Sequence, residues 1–266
     1  MSLVFLKLGG SLITNKEKTD TPNLARISAI CDEIAAALKD SPRLELVIGH
    51  GSGSFGHHAA QQFHTREGVS STEEWLGFAR VWQKARALNN LIADSLAKAG
   101  VPVISFSPSG SVITNDHRIV VWNTKPIELA VRQHLAPLIH GDVIFDRKIG
   151  GTILSTEELF SALTAKLPPE RILLAGIENG VWNDYKARDF ILPKITPTTS
   201  MRTWQMASTS PDVTGGMGSK VTAMLELAGK YPSLSVSIFS GAESGNIYAS
   251  LMGRQLGTCI TMGERE

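Results

Sequence analysis

The chain has little cysteine, few aromatic residues and almost no net charge. Its two cysteines, Cys31 and Cys259, stand far apart in 266 residues, without metal-ligand spacing. That argues against a disulfide framework and a thiolate metal site, and reads as free thiols in a reducing cytoplasm. The formal charge of +1 comes from 26 Lys+Arg against 25 Asp+Glu. No large basic surface follows, so nucleic acid is not an expected partner. No apolar run approaches membrane-spanning length, so no membrane association is expected. Met1 to Leu8 has no long apolar core and runs into a Gly-Gly turn, which reads as a strand rather than a signal peptide. There is no low-complexity segment, no internal repeat and no linker rich in Pro, Gly or Ser. One domain over residues 1–266 is expected. With 42% hydrophobic and 19% charged residues, it has the composition of a globular protein with ample core.

Glycine is unevenly placed. Residues 49–56, in Gly49-His50-Gly51-Ser52-Gly53-Ser54-Phe55-Gly56-His57, hold four glycines within eight positions. The run follows Leu44–Ile48, which reads as a buried strand. Glycines there let the backbone bend sharply and bring N–H groups close to a ligand. A strand, such a loop and then a helix make the usual geometry for cradling phosphate. His57, read as the end of the loop, adds a donor.

Other elements alternate along the chain. Leu3–Leu8 reads as the first strand, ended by Gly9-Gly10-Ser11. Pro22 opens a helix with Leu24, Ile27, Cys31, Ile34 and Leu38 on one face. A helix from about Thr72 to Ala99 carries Trp75, Phe78, Trp82, Ala85 and Leu88 at helical spacing. Val101–Phe106 is the next strand. The apolar run Leu138–Phe145 is interrupted by Gly141-Asp142, and Arg147–Gly151 reads as a turn. Thr156 is a candidate cap for the helix holding Leu159, Phe160 and Leu163. Arg171–Gly176, Leu234–Ser240 and Thr258–Met262 read as strands. Ser219–Lys230 and the region of Asn246–Leu251 read as helices, and Met201–Val213 as a loop. Strands alternating with helices from end to end argue for an α/β fold, a three-layer αβα sandwich with a mostly parallel central sheet.

The literal G-x-G-x-x-G match at Gly51–Gly56 is weak evidence for a dinucleotide. That fold needs a second strand soon after, with an acid near its end, about 20 residues on. The next strand comes too late, and Glu67, Glu73 and Glu74 fall in a loop and a helix start. No G-x-x-x-x-G-K-[ST] is present. Two further sites combine glycine with lysine. Lys7-Leu8-Gly9-Gly10-Ser11 with Lys16 sets one lysine inside an apolar strand. Asp212-Val213-Thr214-Gly215-Gly216-Met217-Gly218-Ser219-Lys220 leads glycines into a helix start, another anion-ready terminus. Either site alone has a bland reading, as a snorkelling lysine or a capped loop. Three such sites on one parallel sheet can meet outside its carboxyl ends.

These residues resemble the amino-acid-kinase superfamily, and within it the isopentenyl phosphate kinases, over nearly the whole chain. Lys7–Thr14 with Lys16 resembles the family's opening nucleotide-phosphate loop and transition-state lysine. Gly51–His57 resembles its substrate-phosphate loop, and Gly141-Asp142-Val143 its central Gly-Asp motif. Asp212–Met217 with Lys220 resembles its late nucleotide loop, and Gly241 with Gly245-Asn246-Ile247 its closing turn. The histidine after Ser-Phe-Gly narrows the resemblance to isopentenyl phosphate kinase or fosfomycin kinase. Ser52 stands where the family commonly has glycine. Ile177-Glu178-Asn179-Gly180-Val181 stands where many relatives have Asp-x-Asp-Gly-Val.

The resemblance implies ATP as phosphoryl donor, with Mg²⁺ mainly on the nucleotide and no dedicated protein metal site. It implies nucleotide contacts from Lys7, Gly9, Gly10, Ser11, Gly53, Asn179, Gly216 and Lys220. It implies acceptor contacts from Ser52, Gly53, Gly56, His57, Ser155 and Thr156, with the prenyl pocket walled by Trp75, Phe78 and Trp82. Catalytic roles fall to Lys16, His57, Lys7 and Asp142, the last orienting Lys7 or Lys16 or acting on Mg²⁺. A phosphate monoester acceptor is already ionised, so positioning and charge neutralisation are the expected devices. The N-terminal part would bind the acceptor and the C-terminal part the nucleotide, and the family implies a homodimer. The competing readings are a fosfomycin-type phosphonate kinase, a superfamily kinase for an amino acid or UMP, and a nucleotide-binding module without turnover.

Overall fold

A computed structural model describes residues 2–15, 17–184, 187–199 and 216–263, with no side-chain account of residues 57–59. Lys16, Met201–Val213 and most of the late glycine loop therefore lie outside the described residues.

Among the described residues, the central sheet has eight strands. In chain order they are β1 (Ser2–Leu8), β2 (Leu44–His50), β3 (Val103–Ser105), β6 (Ala136–His140), β9 (Arg171–Gly176), β10 (Lys194–Ile195), β11 (Ser235–Ser240) and β12 (Thr258–Ile260). Their spatial order is β10-β12-β11-β9-β1-β2-β6-β3. Every neighbouring pair is parallel except β11 with β12. The helices are α1 (Gly10–Ile13), α2 (Leu24–Asp40), α3 (Gly53–Gln62), α4 (Thr72–Lys98), α5 (Lys125–Arg132), α6 (Thr156–Thr164), α7 (Gly216–Lys230) and α8 (Asn246–Leu251).

The period of two along a strand sorts the core into two layers. Val4, Leu6 and Leu8 of β1 pack with Ile27, Ile30 and Ile34 of α2, Leu88 and Ile92 of α4, and Ile247 of α8. Leu3 and Phe5 turn the other way, to Leu159, Phe160 and Leu163 of α6 and Val221 and Met224 of α7. This is the expected three-layer sandwich. Pro22 precedes α2, whose N-cap is Asn23, the side chain accepting from the Arg26 N–H at 3.1 Å.

The alternation of strand and helix is not continuous. A second sheet, ordered β5-β4-β7-β8, combines β4 (Val112–Asn115), β5 (Arg118–Trp122), β7 (Asp142–Asp146) and β8 (Gly150–Leu154). It is antiparallel except for β4 with β7. The apolar run Leu138–Phe145 serves both sheets. Gly141 separates β6 in the large sheet from β7 in the small one, and its N–H donates to the His50 carbonyl at 3.2 Å. Arg147–Ile149 turns as expected, but Gly150 and Gly151 already belong to β8. Asp146 holds this end together, accepting from the backbone N–H groups of Asp116, His117, Lys148 and Ile149 at 2.8–3.1 Å.

The sheet's carboxyl edge brings two glycine turns back to back. A Cβ on Gly10 would lie 2.5 Å from Gly53 N and 2.6 Å from Gly53 Cα, which are backbone atoms that cannot swing aside. Gly53 itself has φ +50°, a left-handed backbone that favours glycine. Thr14 ties the turns: its Oγ1 donates to the Gly10 carbonyl at 2.8 Å and accepts from the Ser54 N–H at 3.0 Å. We expect Gly10→Ala to cost about 1–3 kcal/mol of stability as overpacking. A wild-type denaturation midpoint in the variant would overturn the account of the contact.

Candidate active site

The alternation of β1 decides where Lys7 points. It shares a face with Leu3 and Phe5, towards α6 and α7, and is only 8% exposed. Helix α6 starts on that face. Its N-cap is Ser155, in a capping box: the Glu158 N–H donates to Ser155 Oγ at 3.2 Å and the Ser155 N–H to Glu158 Oε2 at 2.6 Å. Ser155, not Thr156, is therefore the cap. Thr156 spends its hydroxyl on the His50 carbonyl, at 2.6 Å. That bond fixes the start of α6 against the end of β2.

The next residue is Glu157. Lys7 Nζ donates to Glu157 Oε1, and Lys220 Nζ, from the second turn of α7, lies 4.0 Å from the same oxygen. Burial alone would raise the Glu157 carboxyl. The charges of Lys7 and Lys220, with the Lys7 hydrogen bond, outweigh it and hold the group below its ordinary value. Among the described residues, two lysines meet this carboxylate at the sheet's carboxyl edge, where donors suited to an anion gather.

Asp142 does something else. Its Oδ2 accepts from Ser107 Oγ and the Ser109 N–H, both at 3.1 Å, and its Oδ1 from the Val143 N–H at 2.9 Å. Burial pushes its carboxyl up against these bonds. The expected Lys7–Asp142 pair is thus corrected: the acid on Lys7 is Glu157, and Asp142 holds the Ser107–Gly110 turn. Its pairing with Lys16 falls outside the described residues.

The glycine run is shorter as a loop than the sequence suggests. Only Gly51 and Ser52 are irregular, and α3 begins at Gly53. His57 is the fifth residue of that helix rather than the end of a loop. A Cβ on Gly56 would lie 2.5 Å from the Ser52 side chain, one helical turn back. Gly9, Gly10 and Ser11 sit beside this loop, Ser11 inside the short α1. Gly216 opens α7, three residues before the expected start, with φ +67°. Asn179 is exposed in the bend after β9, at the same edge.

Trp75, Phe78 and Trp82 lie on one face of α4 and form a cluster of their own with Ala60 of α3, Val143 of β7 and Ile153 of β8. The Trp75 ring stacks on Phe145 at 5.9 Å and meets Phe78 edge-on at 5.2 Å. Phe145 is half exposed, so apolar ring surface faces outward here. Trp82 donates Nε1–H to Ser109 Oγ at 3.1 Å, and Arg86 lies over its ring.

The missed residue is Glu157. In sequence it is one of two acids at a helix start, and first-turn acids are common for dipole reasons alone. The signal available was its place in Ser155-Thr156-Glu157-Glu158: Glu158 completes the capping box, so Glu157 faces elsewhere.

The sequence and the fold match known proteins. The model of the amino acid kinase family matches residues 2–240, and the chain belongs to that family. Within it, the chain is 31% identical to the isopentenyl phosphate kinase of Methanothermobacter thermautotrophicus, covering 97% of this chain and 99% of that one. It is 29% identical to the same-named enzyme of Methanocaldococcus jannaschii, covering 98% and 100%. A solved isopentenyl phosphate kinase superposes with a TM-score of 0.83 at 28% identity, over 97% of this chain and all of the other.

The depressed Glu157 carboxyl sets a pH dependence. Its contribution to stability is full above the ordinary value of 4.5 and is lost as pH falls through the lower folded value. We expect Glu157→Gln to destabilise the protein by about 3 kcal/mol at neutral pH, because it removes the buried carboxylate that both ammonium groups face. The gap to wild type should narrow below pH 4.5 in chemical denaturation. A constant gap through that range would disprove the pairing.

Proposed function

We propose that this chain transfers the γ-phosphoryl group of ATP to isopentenyl phosphate, forming isopentenyl diphosphate. The observation that carries the reading is the convergence of Lys7 and Lys220 on Glu157, at the edge where the Gly9-Gly10 and Gly51–Gly53 turns touch. The similarity to isopentenyl phosphate kinases over nearly the whole chain supports the choice of acceptor.

The chemistry follows from charge. The acceptor is an anion and must attack a polyanion, so repulsion is the barrier and no general base is required. Lys7 and Lys220 neutralise the β- and γ-phosphates. Glu157 keeps both ammonium groups in place. Gly9 shapes the donor-side turn, its own N–H donating to the Ala175 carbonyl at 2.8 Å, and the backbone N–H groups of Gly10 and Ser11 line that side, with Gly53 between the two sides, Gly216 at the α7 start and Asn179 near the base. Ser52, Gly53, Gly56 and His57 take the acceptor phosphate, and Lys16 the phosphoryl group in flight. Ser155 and Thr156 shape the acceptor side by fixing α6. Asp142 acts through the Ser107–Gly110 turn that lies against Trp82. Mg²⁺ would arrive on the nucleotide phosphates, since it keeps several waters and needs few protein ligands. The same reading makes residues 1–266 one domain, acceptor-binding in its N-terminal part and nucleotide-binding in its C-terminal part, acting as a cytoplasmic homodimer.

Steady-state turnover with Mg²⁺-ATP tests this. Isopentenyl phosphate should be preferred over fosfomycin, UMP and acetylglutamate, and His57→Ala should lower turnover at least about tenfold, the scale of one charge-assisted hydrogen bond. Preference for fosfomycin would overturn the substrate assignment and keep the mechanism. ATP binding without any turnover would favour a regulatory module.

The aromatic cluster sets a second expectation. Trp75, Phe78 and Trp82 limit the acceptor chain to about five carbons, and cutting one to Ala should raise activity on longer prenyl phosphates relative to isopentenyl phosphate. Phe78 is 7% exposed, so its truncation should also cost about 3–5 kcal/mol of stability. An unchanged chain-length preference in all three variants would remove these residues from the pocket wall.

A further inference from the structure

His50 is the last residue of β2 and fully buried. It is held from every side. Its carbonyl accepts from Thr156 Oγ1 and the Gly141 N–H, and its ring stacks on His140 at 5.4 Å and 7°. Its Nδ1 lies 3.1 Å from the Gly51 carbonyl oxygen, and its Nε2 lies 3.2 Å from Asn89 Oδ1. Asn89 in turn reaches Ser105 Oγ at 2.7 Å.

Burial and the neighbouring His140 ring push His50 down to about 3, so the imidazole is neutral at working pH. A neutral imidazole has one N–H and one lone pair. Two oxygens facing its two nitrogens cannot both accept from it. The Gly51 carbonyl has no other role available, since a carbonyl only accepts. The Asn89 amide can turn by 180° with its heavy atoms in place. One arrangement then satisfies every group. His50 Nδ1–H donates to the Gly51 carbonyl, Asn89 Nδ2 donates to His50 Nε2, and the Ser105 hydroxyl donates to Asn89 Oδ1.

The peptide between Gly51 and Ser52 is planar and trans, so its C=O and N–H point in opposite directions. A carbonyl drawn back to His50 therefore aims the Ser52 N–H away from the histidine. Among the described residues, that N–H meets no backbone acceptor. We propose that His50 is a positioning residue, whose Nδ1–H fixes the Gly51–Ser52 peptide so that the Ser52 N–H is presented to the acceptor phosphate. The inference rests on the acceptor reading of this loop. On this account the aim of the N–H is set by a buried ring, not by the Ser52 side chain that follows it.

Two isosteres separate this role from plain packing. In His50→Asn the amide nitrogen takes the place of Nδ1, and in His50→Gln it takes the place of Nε2. We expect His50→Asn to keep the acceptor KM within about threefold of wild type. His50→Gln should raise it about tenfold, the scale of one hydrogen bond to a charged group, with the ATP KM within about twofold in both. Melting temperatures show whether the two variants are equally folded. Equal acceptor KM values in the two variants, or a parallel rise in ATP KM, would overturn the role. The nitrogen chemical shifts of His50 in the ¹⁵N-labelled wild-type protein give a readout independent of substrate. An Nδ1-protonated ring is expected, and an Nε2-protonated ring would overturn the inference even if isopentenyl phosphate is turned over. Failure of the wild-type protein to use isopentenyl phosphate would overturn the substrate reading, while the ring tautomer still decides whether the peptide is held.

Discussion

Two lysines meeting one buried carboxylate is the constraint on which the site depends. A lysine inside an apolar strand is tolerated only when its charge is matched, because an isolated buried ammonium would lose its proton instead. Glu157 supplies the match for Lys7 and, at the edge of contact, for Lys220. The three residues come from β1, α6 and α7, so the cluster forms only when both helices have packed on the same face of the sheet. Helix placement is in turn fixed by the Leu159, Phe160 and Leu163 stripe and by the Thr156 bond to β2. Charge and packing thus specify one another. Neither lysine needs a dedicated scaffold beyond the core that holds the protein together.

The glycines work on a different scale. Gly10 and Gly53 let two backbone turns approach within contact distance, and Thr14 bridges them through one hydroxyl. Turns this close bring their N–H groups to bear on neighbouring points, as donor and acceptor phosphates in a transfer reaction require. Behind them, buried His50, His140 and Asp142 at the ends of β2, β6 and β7 form a polar layer with buried Asn89 of α4, which reaches the exposed Ser105 of β3. Such a layer is rigid where its bonds are made, and its cost is desolvation. His140 and Asp142 show that cost: burial moves both towards their neutral forms, His140 down to about 4 and Asp142 upwards.

Much of this was legible in sequence, and the exceptions have physical causes. The central strands show as apolar runs because they are covered on both faces. α2 and α4 show because their stripes are long and their caps conventional. The small sheet did not show. The hairpin between β4 and β5 turns on Asp116 and His117, at φ 53° and 64°. A histidine there carries none of the Asn-Gly or Gly-Gly signal that marks such turns. β8 begins in two glycines that read as a turn, and Leu138–Phe145 read as one element because a single glycine divides it. The lysines and glycine turns were legible because chemistry limits which residues can stand there. Glu157 was not, because an acid in a first helical turn has a sufficient local explanation.

That asymmetry separates residues that meet a ligand from residues that hold them. Gly9, Gly10, Gly53 and Lys7 are conspicuous because each departs from what its own element would choose, and Lys220 because it follows a run of glycines into a helix. Glu157, Thr156 and His50 do not depart from local preference. Their roles arise from contacts 150, 106 and 39 positions apart in sequence, respectively to Lys7, His50 and Asn89. A capping box at Ser155 fixes the start of α6, the start of α6 sets Thr156 on the His50 carbonyl, and the same turn delivers Glu157 to Lys7. The acceptor turn and the lysine cluster are therefore mechanically linked through one helix terminus. A shift of α6 along its axis would displace the end of β2 and the carboxylate together, so the two halves of the site are held in register by the same three residues.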